Sequence, residues 1–366
     1  MSAHANGATL TTRVDVAIRG VRLRGDGTGQ APVRRRAGAG PSDDGHVLLG
    51  GISAALPIAD DSPYTIQSGR LLFDGADTGM SVDPVERPAF YDLATADGIS
   101  YEKLARLHGK DVLASTVVQT CVRYDEKDRC RFCAIEASLQ AGSTTAVKLP
   151  AQLAEVAEAA VRLDGVKQMI LTTGTSNGRD RGARHLARCV RAIKEAVPLL
   201  PIQVQCEPPA PDDIAVITEL REAGADAIGI HVESLDDAVR RRWMPGKATV
   251  PLSQYWEAWR EAVAVFGYNR VSTYLLVGLG EDPDELVAGA KALIAEGVYP
   301  FVVPFRPLAG TLATDVDRVP APPTDVLERI TARVAGLLQA AGMRGAAQSA
   351  GCVACGACSA LRLAGG

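Results

Sequence analysis

The chain has 366 residues, of which 47% are hydrophobic and 22% charged, and its formal net charge is −4. So mild a charge argues against a nucleic-acid or membrane-surface binder, and no apolar run reaches the length of a membrane span. Residues 1–15 lack the basic-then-apolar pattern of a secretory signal, which predicts a cytoplasmic protein. Eight cysteines in that reducing compartment indicate metal or redox chemistry rather than disulfides.

Residues 1–110 are predicted to form a small β-rich region. Residues 24–45 are rich in Gly, Pro and Arg and predict a mobile loop, and residues 100–109 predict a helix that links this region to the rest. The strand-like segments of the region are 14–20, 47–58 and 62–75.

Residues 111–341 alternate short β-rich runs with amphipathic helical runs. Six successive β-α units imply right-handed crossovers and a parallel sheet, either doubly wound or barrel-like. Because the strands are similar in length, we expect a partial (β/α)6 TIM-like barrel with its function at the carboxyl ends of the strands. Residues 342–366 form a cysteine-containing tail. The predicted strands are 112–120, 166–175, 202–208, 226–234, 270–281 and 299–307.

Three cysteines follow the first of these strands: Cys121, Cys130 and Cys133. Structural zinc takes four ligands, and catalytic zinc usually includes histidine among three. A cubane iron–sulfur cluster is built for thiolates, and three of them leave one iron open to a small molecule.

A cysteine trio after strand one of a six-fold β-α barrel, with Phe132 before the third cysteine, resembles the radical S-adenosylmethionine (radical SAM) superfamily. The spacing here is C-x8-C-x2-C, whereas that superfamily usually has C-x3-C-x2-C. The resemblance implies a [4Fe–4S] cluster whose open iron binds S-adenosylmethionine and cleaves it reductively to a 5′-deoxyadenosyl radical. It implies an oxidoreductase or transferase that takes hydrogen from a small-molecule substrate. A reductant such as flavodoxin or ferredoxin, and neither nucleic acid nor membrane, is the expected partner.

The same resemblance assigns cofactor contacts to later strand ends. For Gly174 an ordinary strand-to-loop glycine is an equally good interpretation. A narrower resemblance, carried by residues 90–121 and 129–135, is to a bacterial radical SAM family encoded near nitrilase genes, and it implies no substrate. The assigned contacts are Thr173 and Gly174 to the methionyl ammonium, Glu233 to ribose, Arg240 to the carboxylate, Gly278 beside adenine, and Arg306 in a strand-six ending like that of the biotin- and lipoyl-synthase-like branch.

The tail carries a second trio, with the C-x2-C-x2-C spacing that begins a bacterial ferredoxin run. We expect a second iron–sulfur cluster there, on the same face as the first, with a structural zinc knuckle as the alternative. Its fourth ligand is Cys206, Cys189 or the substrate, and strand alternation leaves open whether Cys206 points into the barrel. The second trio is Cys352, Cys355 and Cys358.

A rival hypothesis is a zinc- or iron–sulfur-binding barrel that acts as a scaffold or electron carrier. An aldolase-type barrel is disfavoured because Lys247, in the segment MPGKAT, follows a loop proline and offers no convincing Schiff-base lysine.

Overall fold

The computed structural model describes residues 2–22 and 45–365. The loop predicted at residues 24–45 lies outside these residues except for Gly45. The strands are β1 Gly45–Leu49, β2 Ile52–Leu56, β3 Tyr64–Gln67, β4 Arg70–Phe73, β5 Ala76–Pro84, β6 Arg106–His108, β7 Val112–Thr116, β8 Gln168–Thr172, β9 Ile202–Gln205, β10 Ala227–Gly229, β11 Val271–Val277 and β12 Val298–Pro304.

The helices include five of 13 to 17 residues that follow barrel strands, the shorter α6 and several single turns. Pro150 begins α4 and the left-handed Gly165 ends it, and the Asp282 side chain caps α10 by accepting from two backbone amides. The helices are α1 Ser2–Arg19, α2 Tyr101–Leu104, α3 Ala137–Gln140, α4 Pro150–Asp164, α5 Ala183–Ala196, α6 Val216–Glu222, α7 Asp237–Trp243, α8 Pro245–Ala248, α9 Leu252–Phe266, α10 Pro283–Ala295, α11 Leu312–Asp315, α12 Thr324–Ala340 and α13 Cys352–Cys355.

The larger sheet is the predicted partial barrel. Its strand order is β12-β11-β10-β9-β8-β7-β6, with β7 to β12 parallel and in chain order and β6 antiparallel on the edge. Strands such as β12 are buried along their whole length, because helices cover one face and the barrel interior lies on the other. The predicted (β/α)6 architecture is therefore confirmed, and its six strands deliver their carboxyl ends to one edge.

The N-terminal region holds an antiparallel sheet in the order β2-β1-β5-β4-β3, so the predicted strands at 47–58 and 62–75 are confirmed. The strand predicted at 14–20 is wrong, because these residues end helix α1. Val14 packs into the barrel core and Val16 into the core of the N-terminal sheet, so both sides of α1 are buried. That two-sided burial produced an alternation that imitates a strand. The predicted linking helix is only the single turn α2, followed by β6.

The tail enters the barrel from the amino edge of its strands. The Gly351 amide donates to Oε1 of Gln168, the first residue of β8, at 2.7 Å. Farther along, the Ser359 hydroxyl donates to the carbonyl of Val302 in the middle of β12 at 2.6 Å. The prediction that the second trio shares the face of the first is therefore wrong. The ten residues after α12 are long enough to reach either edge of the barrel strands. The tail enters at the amino edge because it is buried inside the barrel there.

No helix in the described parts of the chain combines the length and the apolarity that crossing a membrane requires.

Candidate active site

A cavity of about 200 Å³, here called the upper cavity, opens at the carboxyl ends of the barrel strands. Cys121, Cys130 and Cys133 all line it, together with Phe132. Thr173, Gly174 and Glu233, which the sequence assigned to the same site, line it too. The structure thus brings together seven of the predicted site residues, from three separate strand ends.

The long gap between the first two cysteines folds as a turn that leaves both of them on the cavity. The Asp125 carboxylate accepts the backbone amides of Lys127 and Asp128 at 2.9 and 2.7 Å, which closes the turn locally. The carbonyl of Asp128 then accepts the Gly246 amide at 3.0 Å. A Cβ on Gly246 would lie 2.5 Å from that carbonyl, so the close approach requires glycine there. The extra residues are thereby docked on the helical turn α8, and Arg123, Tyr124 and Arg129 among them also line the cavity.

Glu233 occupies the cavity with its charge already paired. Its Oε2 lies 2.5 Å from Nζ of Lys247, and the two side chains are only 13% and 9% exposed. Burial alone would lower the pKa of Lys247, but the Glu233 carboxylate outweighs it, and the pKa is raised above the usual value for lysine. Glu233 has a φ of +61°, a left-handed conformation that costs a residue with a side chain about 1–3 kcal/mol. The fold therefore holds this carboxylate in one orientation.

A second ion pair borders the same cavity, between Nη2 of Arg123 and Oε2 of Glu207 at 3.1 Å. The other oxygen of Glu207 accepts the Thr175 hydroxyl at 2.7 Å. Arg123 also donates to the carbonyl of Gly246, which ties the cysteine loop to the loop of Lys247. The sequence analysis missed Arg123, Glu207 and Lys247 as site residues. Only Glu207 had a usable signal, because it directly follows a strand end.

Gly174 is fixed by steric contact with the cysteine loop. Its amide donates to the carbonyl of Val118 at 2.8 Å, and a Cβ built on it would lie 2.1 Å from the carbonyl oxygen of Thr120. The neighbouring Thr173 hydroxyl donates to the carbonyl of Gly174 at 2.8 Å. Glycine is therefore required for strand β8 to approach the residue that precedes Cys121.

His231, also missed by the sequence analysis, presents a buried polar atom at the upper cavity. Its ring stacks on Tyr274 with centroids 4.0 Å apart, and its Nδ1 accepts the Tyr274 amide at 3.2 Å. Its Nε2 is buried and has no hydrogen-bond partner among the described residues. Burial lowers the pKa of His231 to about 3, so the ring is neutral at pH 7.

Three residues predicted to contact the cofactor, Arg240, Gly278 and Arg306, are not among the residues that line the upper cavity and instead make contacts within the protein. Arg240 is fully buried, donates to the carbonyl of Val250 at 2.6 Å, and lies over the Tyr255 ring at 5.2 Å. Its Nη1 also donates to the Asp237 carboxylate at 2.9 Å, so the guanidinium already has a carboxylate partner on its own helix. A buried guanidinium has five N–H donors, and nearby backbone carbonyls readily accept hydrogen bonds from them.

The Gly278 amide donates to the Glu281 carboxylate at 2.6 Å, and the residue packs against Pro322, 3.0 Å from where its Cβ would lie. Arg306 donates through Nη2 to the carbonyl of Ala55, in the N-terminal sheet, at 2.8 Å. Both residues thus serve contacts between structural elements, which a strand-end motif does not reveal.

A second cavity of about 290 Å³, here called the lower cavity, lies in the barrel interior beneath the first. Cys352, Cys355 and Cys358 line it, and it shares Thr172 and Gln205 with the upper cavity. Nε2 of Gln205 lies 3.2 Å from the sulfur of Cys352. The two cysteine trios therefore face one continuous interior from opposite ends of the strands.

The two remaining cysteines lie elsewhere. Cys206 lines the upper cavity, which answers the question that strand alternation left open. Cys189 is buried in the core on α5, with its sulfur 3.7 Å from Nε2 of His185. The structure thus gives no support to either residue as the fourth ligand of the second trio.

Each trio includes two thiols whose pKa burial raises: Cys130 and Cys133 in the first, and Cys352 and Cys355 in the second. Burial raises the pKa of Cys133 and of Cys352 to about 11, so deprotonation at pH 7 requires a cation. Among the described residues, no three His, Cys, Asp or Glu side chains converge as ligands of one metal ion would. An iron–sulfur cluster, by contrast, bonds each thiolate to a different iron.

Comparison with known proteins finds one matching family model and several similar relatives. The model of the radical SAM superfamily matches residues 127–293. The chain is 30% identical to bacteriochlorophyllide c C-7(1)-hydroxylase of Chlorobaculum limnaeum over 35% of this chain, and it spans only 31% of that relative. It is 29% identical to the lipoyl synthase of Ectopseudomonas mendocina over 67% of this chain and 74% of that protein.

Among solved structures, the FeFe-hydrogenase maturase HydG of Carboxydothermus hydrogenoformans matches with a TM-score of 0.46 and 16% identity, over 64% of this chain and 52% of that one. The family match includes Cys130 and Cys133, and the lipoyl synthase match extends across most of the chain. The match over residues 127–293 therefore indicates a radical SAM enzyme, and the chain is similar to lipoyl synthases over up to about two thirds of its length.

Proposed function

We propose that Cys121, Cys130 and Cys133 hold a [4Fe–4S] cluster in the upper cavity, with one iron open to S-adenosylmethionine. The observation that carries this proposal is the shared lining of one cavity by the three thiols, Gly174 and Glu233. Bound there, the cluster and S-adenosylmethionine supply a 5′-deoxyadenosyl radical, which abstracts hydrogen from a small organic substrate.

The residues of the upper cavity suit such a cofactor. Glu233 offers a fixed acceptor for ribose hydroxyls; burial raises the pKa of this carboxyl, and the ion pair with Lys247 opposes that shift. His231 offers an unpaired ring nitrogen, which a bound polar group would satisfy. Phe132 packs against an apolar cluster that includes Trp243 and Phe305, which excludes water from one side of the cysteine loop.

We place the substrate in the lower cavity, between the two trios. A molecule there is separated from the upper cavity only by residues that line both, Thr172 and Gln205. The other lining residues combine apolar side chains such as Ile170 and Phe301 with polar ones such as His108, Arg106 and Lys148, and favour a compact organic molecule that carries both apolar and polar groups. A cytoplasmic location and reduction by flavodoxin or ferredoxin complete the proposal, without nucleic acid or membrane as a partner.

We further propose that Cys352, Cys355 and Cys358 hold a second iron–sulfur cluster. All three residues line the lower cavity, so a cluster bound there would face the substrate. A structural zinc site would more commonly be closed by four protein ligands, and neither Cys206 nor Cys189 lines this cavity.

Anaerobic purification and metal analysis test both parts. We expect about eight irons and as many sulfides per chain, as for two cubanes, and formation of 5′-deoxyadenosine on reduction with S-adenosylmethionine. Cys121→Ala should abolish 5′-deoxyadenosine, whereas Cys189→Ala, a matched loss of a core thiol, should not. Stoichiometric zinc without iron would instead support a scaffold, and an active Cys121→Ala variant would exclude the assigned trio.

A further inference from the structure

Helix α1 of the N-terminal region brings an arginine to the second cysteine trio. Arg13 is 2% exposed, and its Nη2 donates to the carbonyl of Ala357, between Cys355 and Cys358, at 2.7 Å. Its Nη1 is buried and has no hydrogen-bond partner among the described residues. An arginine in this state retains an unused donor beside the thiols of the lower cavity.

The charge of Arg13 also lacks a protein counter-ion. No carboxylate in residues 2–22 or 45–365 forms an ion pair with it, and the neighbouring charges that act on it are a second guanidinium, Arg306, and the thiol of Cys358. Burial of a cation without a partner costs several kcal/mol. An Arg13 side chain that is buried with an unused donor beside the thiols of the lower cavity therefore indicates that an anionic group belongs there.

The same carbonyl of Ala357 accepts a second bond, from the Ala55 amide in β2 at 3.1 Å. Arg306, in turn, donates to the carbonyl of Ala55. The cysteine loop is thus held between α1, the N-terminal sheet and the loop after β12. These contacts fix the direction of the Arg13 guanidinium without satisfying its Nη1.

We propose that Arg13 is a positioning residue of the second cluster: its Nη1 donates a charge-assisted hydrogen bond to a sulfur of that cluster, and its charge stabilises the anionic site. This inference rests on the second cluster of the proposed function and assigns the N-terminal region a part in it. Three thiolates give the loaded site a net negative charge, and reduction increases that charge. Hydrogen bonds to the sulfurs and nearby charge are the protein's main controls on cluster potential.

The test isolates the second cluster by working in the Cys121/Cys130/Cys133→Ala background, called the parent here. The variants are Arg13→Gln, which removes the charge, and Arg13→Lys, which keeps the charge but lacks the two separate Nη donors of the guanidinium. Arg19→Gln, on the same helix but with a side chain 51% exposed, is the matched control. Iron, sulfide and the reduction potential are measured on each anaerobic protein.

We expect about four irons per chain in the parent and in Arg19→Gln. Arg13→Lys should contain slightly less iron. Arg13→Gln should lose at least half of that iron, and any remaining cluster should have a more negative reduction potential. If Arg13→Gln does not fold, ¹⁵N-arginine labelling decides: a nitrogen coupling to the reduced cluster should appear in the parent and vanish in Arg13→Lys.

Equal iron and potential in Arg13→Gln and Arg19→Gln would overturn this inference alone, as would a nitrogen coupling that persists in Arg13→Lys. A parent that binds zinc, or no metal, would overturn the second cluster together with this inference. The first cluster stands or falls separately, on 5′-deoxyadenosine formation by the unmodified chain.

Discussion

Gly174→Ala should damage the upper cavity through a single added methyl group. The new Cβ would lie 2.1 Å from the Thr120 carbonyl oxygen, 2.9 Å from its carbon and 3.1 Å from the Val118 carbonyl oxygen. Relieving the shortest contact requires a backbone shift of about 1 Å, in the residue directly before Cys121. Overpacking of this kind costs about 1–3 kcal/mol of the free energy of unfolding, and a misplacement of about 1 Å can cost about 100-fold in rate.

The assay is 5′-deoxyadenosine formation per cluster, with denaturant unfolding measured alongside. Gly178→Ala is the matched control, since a Cβ there meets no atom within 4 Å. We expect Gly178→Ala to behave like the unmodified chain, and Gly174→Ala to be destabilised and to lose about 100-fold in rate. A Gly174→Ala protein with normal stability and normal rate would refute the steric reasoning and the assigned position of the cysteine loop.

Three further predictions concern polar side chains of the upper cavity. Lys247→Met should lower the free energy of unfolding by about 3–5 kcal/mol, because it leaves the Glu233 carboxylate buried and unpaired, and unchanged denaturant unfolding would contradict the pairing. Glu233→Gln should weaken S-adenosylmethionine binding, measured by calorimetry, by about 1.5–3 kcal/mol, and lost turnover with normal binding would reassign the residue to substrate or proton transfer. His231, whose pKa is depressed to about 3, binds a proton only in the unfolded chain between pH 6.5 and pH 3, so stability is full above pH 6.5 and falls as the pH drops. Acid titration of unfolding should show a slope of up to about 1.4 kcal/mol per pH unit in that window that is absent in His231→Gln, and equal slopes would contradict the burial argument.

The barrel was predictable because each of its elements is specified locally. A strand and a helix with clear hydrophobic periodicity, repeated six times, are compatible with few fold topologies. In each of them the carboxyl ends of the parallel strands lie on one edge. The position of Cys121 after the first strand could therefore be assigned to that edge, whereas Gly174 and Glu233 were assigned to the same site by the resemblance to the radical SAM superfamily.

The sequence did not predict side-chain orientations correctly, because these depend on neighbours that are distant in sequence. Arg240 lies on a helix near the site, yet the carbonyl of Val250 and the ring of Tyr255 take its guanidinium. Lys247 seemed remote because it follows a loop proline, although its loop folds back onto Glu233. The burial of α1 on two sides likewise erased the one-sided pattern by which a surface helix is recognised.

The hydrogen bond between Arg13 and Ala357 joins residues that are 344 positions apart, nearly the full length of the chain. At translation rates of about 5–20 residues per second, Ala357 is synthesised roughly 20–70 s after Arg13. The first cysteine trio, by contrast, precedes most of the barrel and is complete early. The contact of Arg13 at the lower cavity therefore forms only after Ala357 has been synthesised, later than the first trio.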